Sequence, residues 1–224
     1  MIQMQVPKGY LRFGGWSLLI GGLMGFSGQL MHIGDTPEKL GDIAGFVETA
    51  VNTHVLLAWA SILILMGLPA IYLRQAGKLK VWGWVGLPLL FIGMILEIFH
   101  GPFQIMGYPI IYSLVSTEAV LNTVNDLIMN MMVDEYPLTL LVLIPLLPGI
   151  MLGLLLLGIS TIKSGVFHKG LGIFTLVVMA LLIGGMSMPD VNVFSAIHLI
   201  FVAFGGVLAF EKKAGVTVED RVAA

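Results

Sequence analysis

Residues 55–68 read Val55-Leu-Leu-Ala-Trp-Ala-Ser-Ile-Leu-Ile-Leu-Met-Gly-Leu68, a run with no charge and a single hydroxyl. The apolar character continues on both sides, from about Phe46 to Leu73. That exceeds the roughly 20 residues a helix needs to cross a hydrocarbon core, and it is too long for a strand. An open sheet would leave its backbone groups unsatisfied in lipid, so the run reads as a transmembrane helix. Five further stretches match it: about Arg12–Ile33, Val81–His100, Leu138–Ile162, Leu171–Met188 and Val191–Phe210. The expected fold class is all-α, a polytopic membrane helical bundle of six transmembrane helices. It forms one integral membrane domain over residues 1–224, with no internal repeat.

Composition agrees. The chain is 58% hydrophobic and 11% charged with a net charge of −2, whereas a soluble domain is about 25% charged. This excludes a disordered chain, a nucleic-acid partner and an ordinary cytosolic enzyme. The absence of cysteine excludes a disulfide framework, a thiolate metal site and a cysteine nucleophile.

Charge placement tests the number of crossings. Six spans put Lys8, Arg12, Arg74, Lys78, Lys80, Lys163, Lys169, Lys212, Lys213 and Arg221 on one side, leaving Lys39 alone opposite. By the positive-inside rule both termini are cytoplasmic. Ten of the acids, from Asp35 to Asp190, fall on or toward the outer side. Trp16, Tyr72, Trp82 and Trp84 fall near the inner boundary, and Tyr108, Tyr112 and Tyr136 near the outer one, as interfacial aromatics do. The first run is long and lacks a small-x-small cleavage site, so it reads as a mature span rather than a signal peptide. With no organelle-targeting signal in view, the expected location is the cell membrane, as a multi-pass protein of a bacterial inner membrane.

Two outer loops look ordered. Thr36-Pro37-Glu38 has the pattern of a helix start and predicts a short surface helix leading into the second span. In the long loop Gly101–Pro137, Val120, Leu121, Val124, Leu127, Ile128, Met131 and Met132 recur at helical spacing, with Asn122, Asn125, Asp126 and Asn130 on the other face. This predicts an amphipathic helix on the outer interface, either covering loops or lidding a site beneath it.

Ionisable groups inside a membrane are costly, so their positions are informative. Four of the five histidines lie toward the outer ends of four different spans: His32, His54, His100 and His198. His168 sits in an inner loop as a solvated residue. Counted from the expected helix ends, His54 and His198 lie level, on the order of 10 Å deep, with His32 and His100 shallower. Glu97 stands one turn from His100, and Gln29 one turn from His32. Imidazoles from facing helices hold b-type haem, and Gly21, Gly25 and Gly28 offer a small-residue stripe for its flat face. The leading expectation is haem b on His54 and His198, with His32 and His100 as further cofactor-binding residues and Glu97 and Glu48 as proton or metal partners. That would make the chain an electron-transfer or quinone-linked membrane oxidoreductase with a quinone or protein redox partner, in an oligomer or alone.

The run His54-Val-Leu-Leu-Ala-Trp59 resembles the haem-ligating second helix of haem–copper oxidase-type subunits, over six residues. The resemblance implies His54 as a ligand. No copper-ligand histidine cluster follows, so it does not extend to the oxygen-reducing centre.

Two other classes compete. The acidic outer face concentrates cations, and histidine with carboxylate suits a divalent metal, as in a metal-binding membrane protein or transporter. Against transport, the inner half of each span reads as nearly all apolar. A non-catalytic assembly factor or accessory subunit would need no prosthetic group. Boundary histidines that only contact headgroups, and glycines that only let helices pack, fit that reading.

Overall fold

Each of the six apolar runs is helical over most of its described residues, as runs too long for strands and rich in Leu and Ala favour. The computed structural model describes residues 6–130, 136–185 and 193–211, without the side chains of His100 and Leu143. In chain order the helices are α1 (Lys8–Met31), α2 (Ile43–Gln75), α3 (Val81–Pro102), α4 (Tyr108–Ser113), α5 (Glu118–Asn130), α6 (Leu140–Ser164), α7 (Lys169–Gly185) and α8 (Ser195–Phe210). Every regular element among the described residues is helical. Among the described residues, three helical segments are long and apolar enough to cross a membrane: Leu40–Lys78, Val81–Ser113 and Pro137–Ser164. Pro69, Pro88, Pro145 and Pro148 sit inside continuous helices rather than ending them. Gly165 ends α6 in the left-handed conformation at φ 60°, which a side chain would disfavour.

Neighbouring helices pack in a closed ring, α1–α2–α3–α6–α7–α8 and back to α1. Leu18, Ile64, Leu68, Leu90, Leu154 and Phe201 are among the fully buried residues of its centre. One end of the ring carries Arg74 and Lys163 and is called here the basic end; the other carries His32 and His54. At the basic end Arg74 grips Glu211 bidentately, Nη2 to Oε1 at 2.8 Å and Nε to Oε2 at 3.1 Å, tying α2 to the residue that follows α8. The outward faces are apolar: Trp84, Leu141, Leu181 and Phe210 are among many large exposed hydrophobics.

Beyond the histidine end, the first turns of α2 join α4 and α5 in a small cap with its own core of Phe46, Ala50, Tyr108, Tyr112 and Leu121. Tyr108 donates to the Asp35 carbonyl at 2.8 Å, and Asn125 donates to the Pro37 carbonyl at 2.8 Å.

Several expectations change here. The third helical run does not stop at His100. It continues through Pro102, a π-helical turn over Phe103–Gly107, and α4. The wider turn relaxes the i to i−4 ladder where proline supplies no N–H. The expected surface helix at Thr36–Glu38 is absent, and a single 3-10 turn, Leu40–Asp42, precedes α2. The amphipathic helix forms as α5, but Asn125 turns inward, accepting from Tyr112 Oη at 3.1 Å, while Val120 and Leu127 stay exposed. Two well-placed hydrogen bonds outweigh the apolar periodicity at that position. Tyr72, expected near the inner boundary, is buried at 4% exposure. The expected contributions of Met131, Met132 and Asp190 lie outside the described residues.

Candidate functional site

The glycines of α1 decide which histidines meet. Gly14, Gly21 and Gly28, seven residues apart, lie on one face and abut α2: a Cβ at Gly21 would stand 2.9 Å from the Ala60 carbonyl, and one at Gly28 2.8 Å from Leu57 Cδ2. Gly15, Gly22 and Gly25 lie on a second face and abut α8: a Cβ at Gly22 would stand 2.8 Å from Val202 N. The two files let α1 wedge closely against both partners. The small-residue stripe is thereby occupied by protein, with the His198 imidazole itself seated on Gly25.

At the end of α1 the chain leaves the helix at His32, whose N–H still bonds the Gln29 carbonyl at 3.3 Å. The His32 and His54 rings stand edge to face, centroids 5.0 Å apart and planes at 71°. His54 is buried, and its Nδ1 lies 2.7 Å from the Ala50 carbonyl one turn back. A carbonyl accepts only, so this nitrogen carries the hydrogen, and in the neutral ring Nε2 carries the lone pair. Such a bond is what orients a metal-binding imidazole.

The two expected layers therefore regroup. His54 pairs with His32, whereas His198 sits against Gly25, two turns from His32 along α1 and so about 10 Å away along the axis. The count from the sequence misjudged depth because α2 begins at Ile43, in the cap above the main ring, so His54 lies three turns in and yet near the ring's end. The Nδ1 of His198 is buried and makes no hydrogen bond of good geometry; the carbonyls of Phe194 and Ser195 on its own helix are the acceptors in its vicinity.

From α3, Gly101 comes close to His54: a Cβ there would stand 3.8 Å from the His54 carbonyl. Glu97, half-buried, and His100 precede it on the same helix; the His100 side chain lies outside the described residues. Glu48 is exposed on the first turns of α2. Gln104, in the π-helical turn, is buried at 2% exposure, and its Oε1 and the neighbouring helix's Thr53 Oγ1 have no hydrogen-bond partner. Neither residue stood out in the sequence, where a lone Gln or Thr carries no periodic signal. Next to His32, the loop and α2 enclose an open pocket of about 520 Å³ lined by Ile33, Glu38, Asp42, Phe46 and Thr49, among others.

Ring separation discriminates between ligation geometries. An imidazole centroid lies about 3.2 Å from an ion bound at roughly 2.0–2.1 Å, so two rings on one tetrahedral ion have centroids about 5 Å apart, and two in trans across a haem iron about 6.4 Å. The pair His32–His54 has the former spacing. No group of three His, Asp or Glu side chains placed to hold a metal occurs among the described residues.

A second polar layer lies at the basic end, where the sequence reads as apolar. Gln75, Ser160, Thr161 and Ser164 are buried, together with Tyr72. Ser164 Oγ donates to Gln75 Oε1 at 2.7 Å, joining α6 to α2. Their spacing was legible, but single hydroxyls in a long apolar helix look like packing residues until their common face is known.

The fold defines an all-helical class of protein with membrane-length apolar helices. No protein-family model, curated protein or solved structure matches the chain, so the site is read from its own residues.

Proposed function

We propose that this chain is a multi-pass protein of the cell membrane that binds a divalent transition-metal ion through His32 and His54, at the mouth of the bundle beneath the cap. The observation that carries the reading is the 5.0 Å ring pair with His54 fixed by the Ala50 carbonyl. Six spans are the reading that the ring of helices supports: α1, α7 and α8, at 24, 17 and 16 residues, stand in it beside the three longer helices. The apolar outward faces suit lipid. The cationic residues gather at one end, so the positive-inside rule puts both termini in the cytoplasm and the cap outside, with a bacterial inner membrane as the setting. Glu38 and Asp42 beside the pair favour cations at the entrance. On α3, half-buried Glu97 is the candidate for a further donor.

Metal analysis of the purified protein after zinc or cobalt loading tests this. Wild type retains about one ion per chain, and His32→Ala and His54→Ala each lower retention at least tenfold, while His168→Ala leaves it unchanged. Failure of wild type to bind overturns the reading. A Soret band lost in His54→Ala and His198→Ala would instead support the b-type haem and electron-transfer reading. A colourless, metal-free protein would support the accessory-subunit reading.

A further inference from the structure

The basic end of the ring holds a second site that owes nothing to the histidines. Tyr72 Oη, Ser160 Oγ and Thr161 Oγ1 are each buried without a hydrogen-bond partner, in residues exposed by 4%, 1% and 0%. The bond from Ser164 to Gln75 sets α2 and α6 in register. Tyr72 precedes Gln75 by one turn, and Thr161 and Ser160 precede Ser164 by one turn, so all three residues stand about one turn deeper along their helices than that bond. A side chain at Gly83 of α3 would come 2.7 Å from Ser160 Oγ, which places α3 beside that hydroxyl.

A buried hydroxyl left without a partner is destabilising, so three of them at this end of the ring call for a partner. The hydrogen-bond pattern identifies what would satisfy them. Hydroxyls in helices ordinarily donate to a carbonyl one turn back, as Thr175 does to Leu171 at 2.9 Å and Thr123 to Ala119 at 3.0 Å. Ser160 and Thr161 do not, so each keeps a hydrogen to donate. A cation accepts no hydrogen bond and would leave those hydrogens unmatched. An anion would need a cationic partner, and the nearby Arg74 guanidinium is engaged bidentately by Glu211. A small neutral molecule that both accepts and donates fits.

We infer that Tyr72, Ser160 and Thr161 bind ordered internal water, forming a hydrated layer between α2, α3 and α6 behind the Arg74–Glu211 pair. Each water takes about three hydrogen bonds from groups that otherwise have none. The layer supplies the polar interior that the apolar sequence of these spans conceals.

The test uses the full chain in lipid nanodiscs. Water-to-amide cross-peaks in isotope-labelled protein are expected at Ser160 and Thr161. Tyr72→Phe, Ser160→Ala and Thr161→Val each withdraw one partner from a bound water and are expected to lower the Tm by about 2–4 °C, the shift that roughly 1 kcal/mol produces at this chain length. The triple variant expels the water with its partners and is expected to lose less than the summed shifts. Dry hydroxyls give the opposite sign, because removing an unsatisfied group stabilises. Single variants that leave the Tm unchanged or raise it, or amides without water cross-peaks, overturn the proposal.

Discussion

Gly205 and Gly206 are neighbours in the sequence and opposites in the structure, which makes them a sharp test of the packing. A Cβ on Gly205 would stand 2.8 Å from the Gly15 carbonyl and 2.9 Å from Leu19 Cα, both backbone atoms of α1. Ordinary contact needs more than 3.4 Å, so Gly205→Ala forces α1 and α8 apart by the better part of an ångström. Backbone cannot swing aside as a side chain can, and overpacking of this kind costs about 1–3 kcal/mol. A Cβ on Gly206 meets nothing within 4 Å. There alanine brings only its helix preference, worth up to about 1 kcal/mol. That preference is common to both variants, so they differ by the overpacking cost of about 1–3 kcal/mol, or about 2–12 °C in Tm for a chain of this size. Thermal unfolding of both in the same detergent, followed by intrinsic tryptophan fluorescence, reads the difference. Equal melting, or a Gly205→Ala protein more stable than Gly206→Ala, would refute the close crossing of α1 and α8.

Other substitutions probe the two ends. Arg74→Met removes the bidentate pair with Glu211, whose side chains are 25% and 22% exposed; stability should fall by no more than about 1 kcal/mol and less at high salt, and Arg74→Lys should restore only part, since an ammonium cannot make the fork. Asn125→Ala breaks the bonds to Tyr112 and the Pro37 carbonyl; hydrogen exchange should rise over residues 35–47 and 108–128, with the α1–α8 contact unaffected and a local cost of about 1–3 kcal/mol. Leu154→Ala, at a site of 0% exposure, should cost about 2–5 kcal/mol by leaving a cavity, measured by unfolding in mixed micelles. Metal retention in His54→Ala, measured as described above, tests the site itself.

The sequence by itself determined the helices and their class. Apolar runs of this length are too long for strands, and they form helices. It also placed α5, whose apolar residues recur at helical spacing. It could not show that α3 runs on to Ser113, because Pro102 looks like a stop and only the π-helical turn and the cap core of Tyr108 and Tyr112 make continuation favourable. Nor could it pair the histidines. Depth counted from helix ends set His54 beside His198, but depth depends on where α2 enters the ring, and facing depends on rotation. Both are fixed by the two glycine files of α1, which bring α2 and α8 to different sides and leave His54 against His32. The hydroxyls of the basic end stayed hidden for the same reason. Which face of a helix is interior is decided by its neighbours, through contacts between residues far apart in the chain.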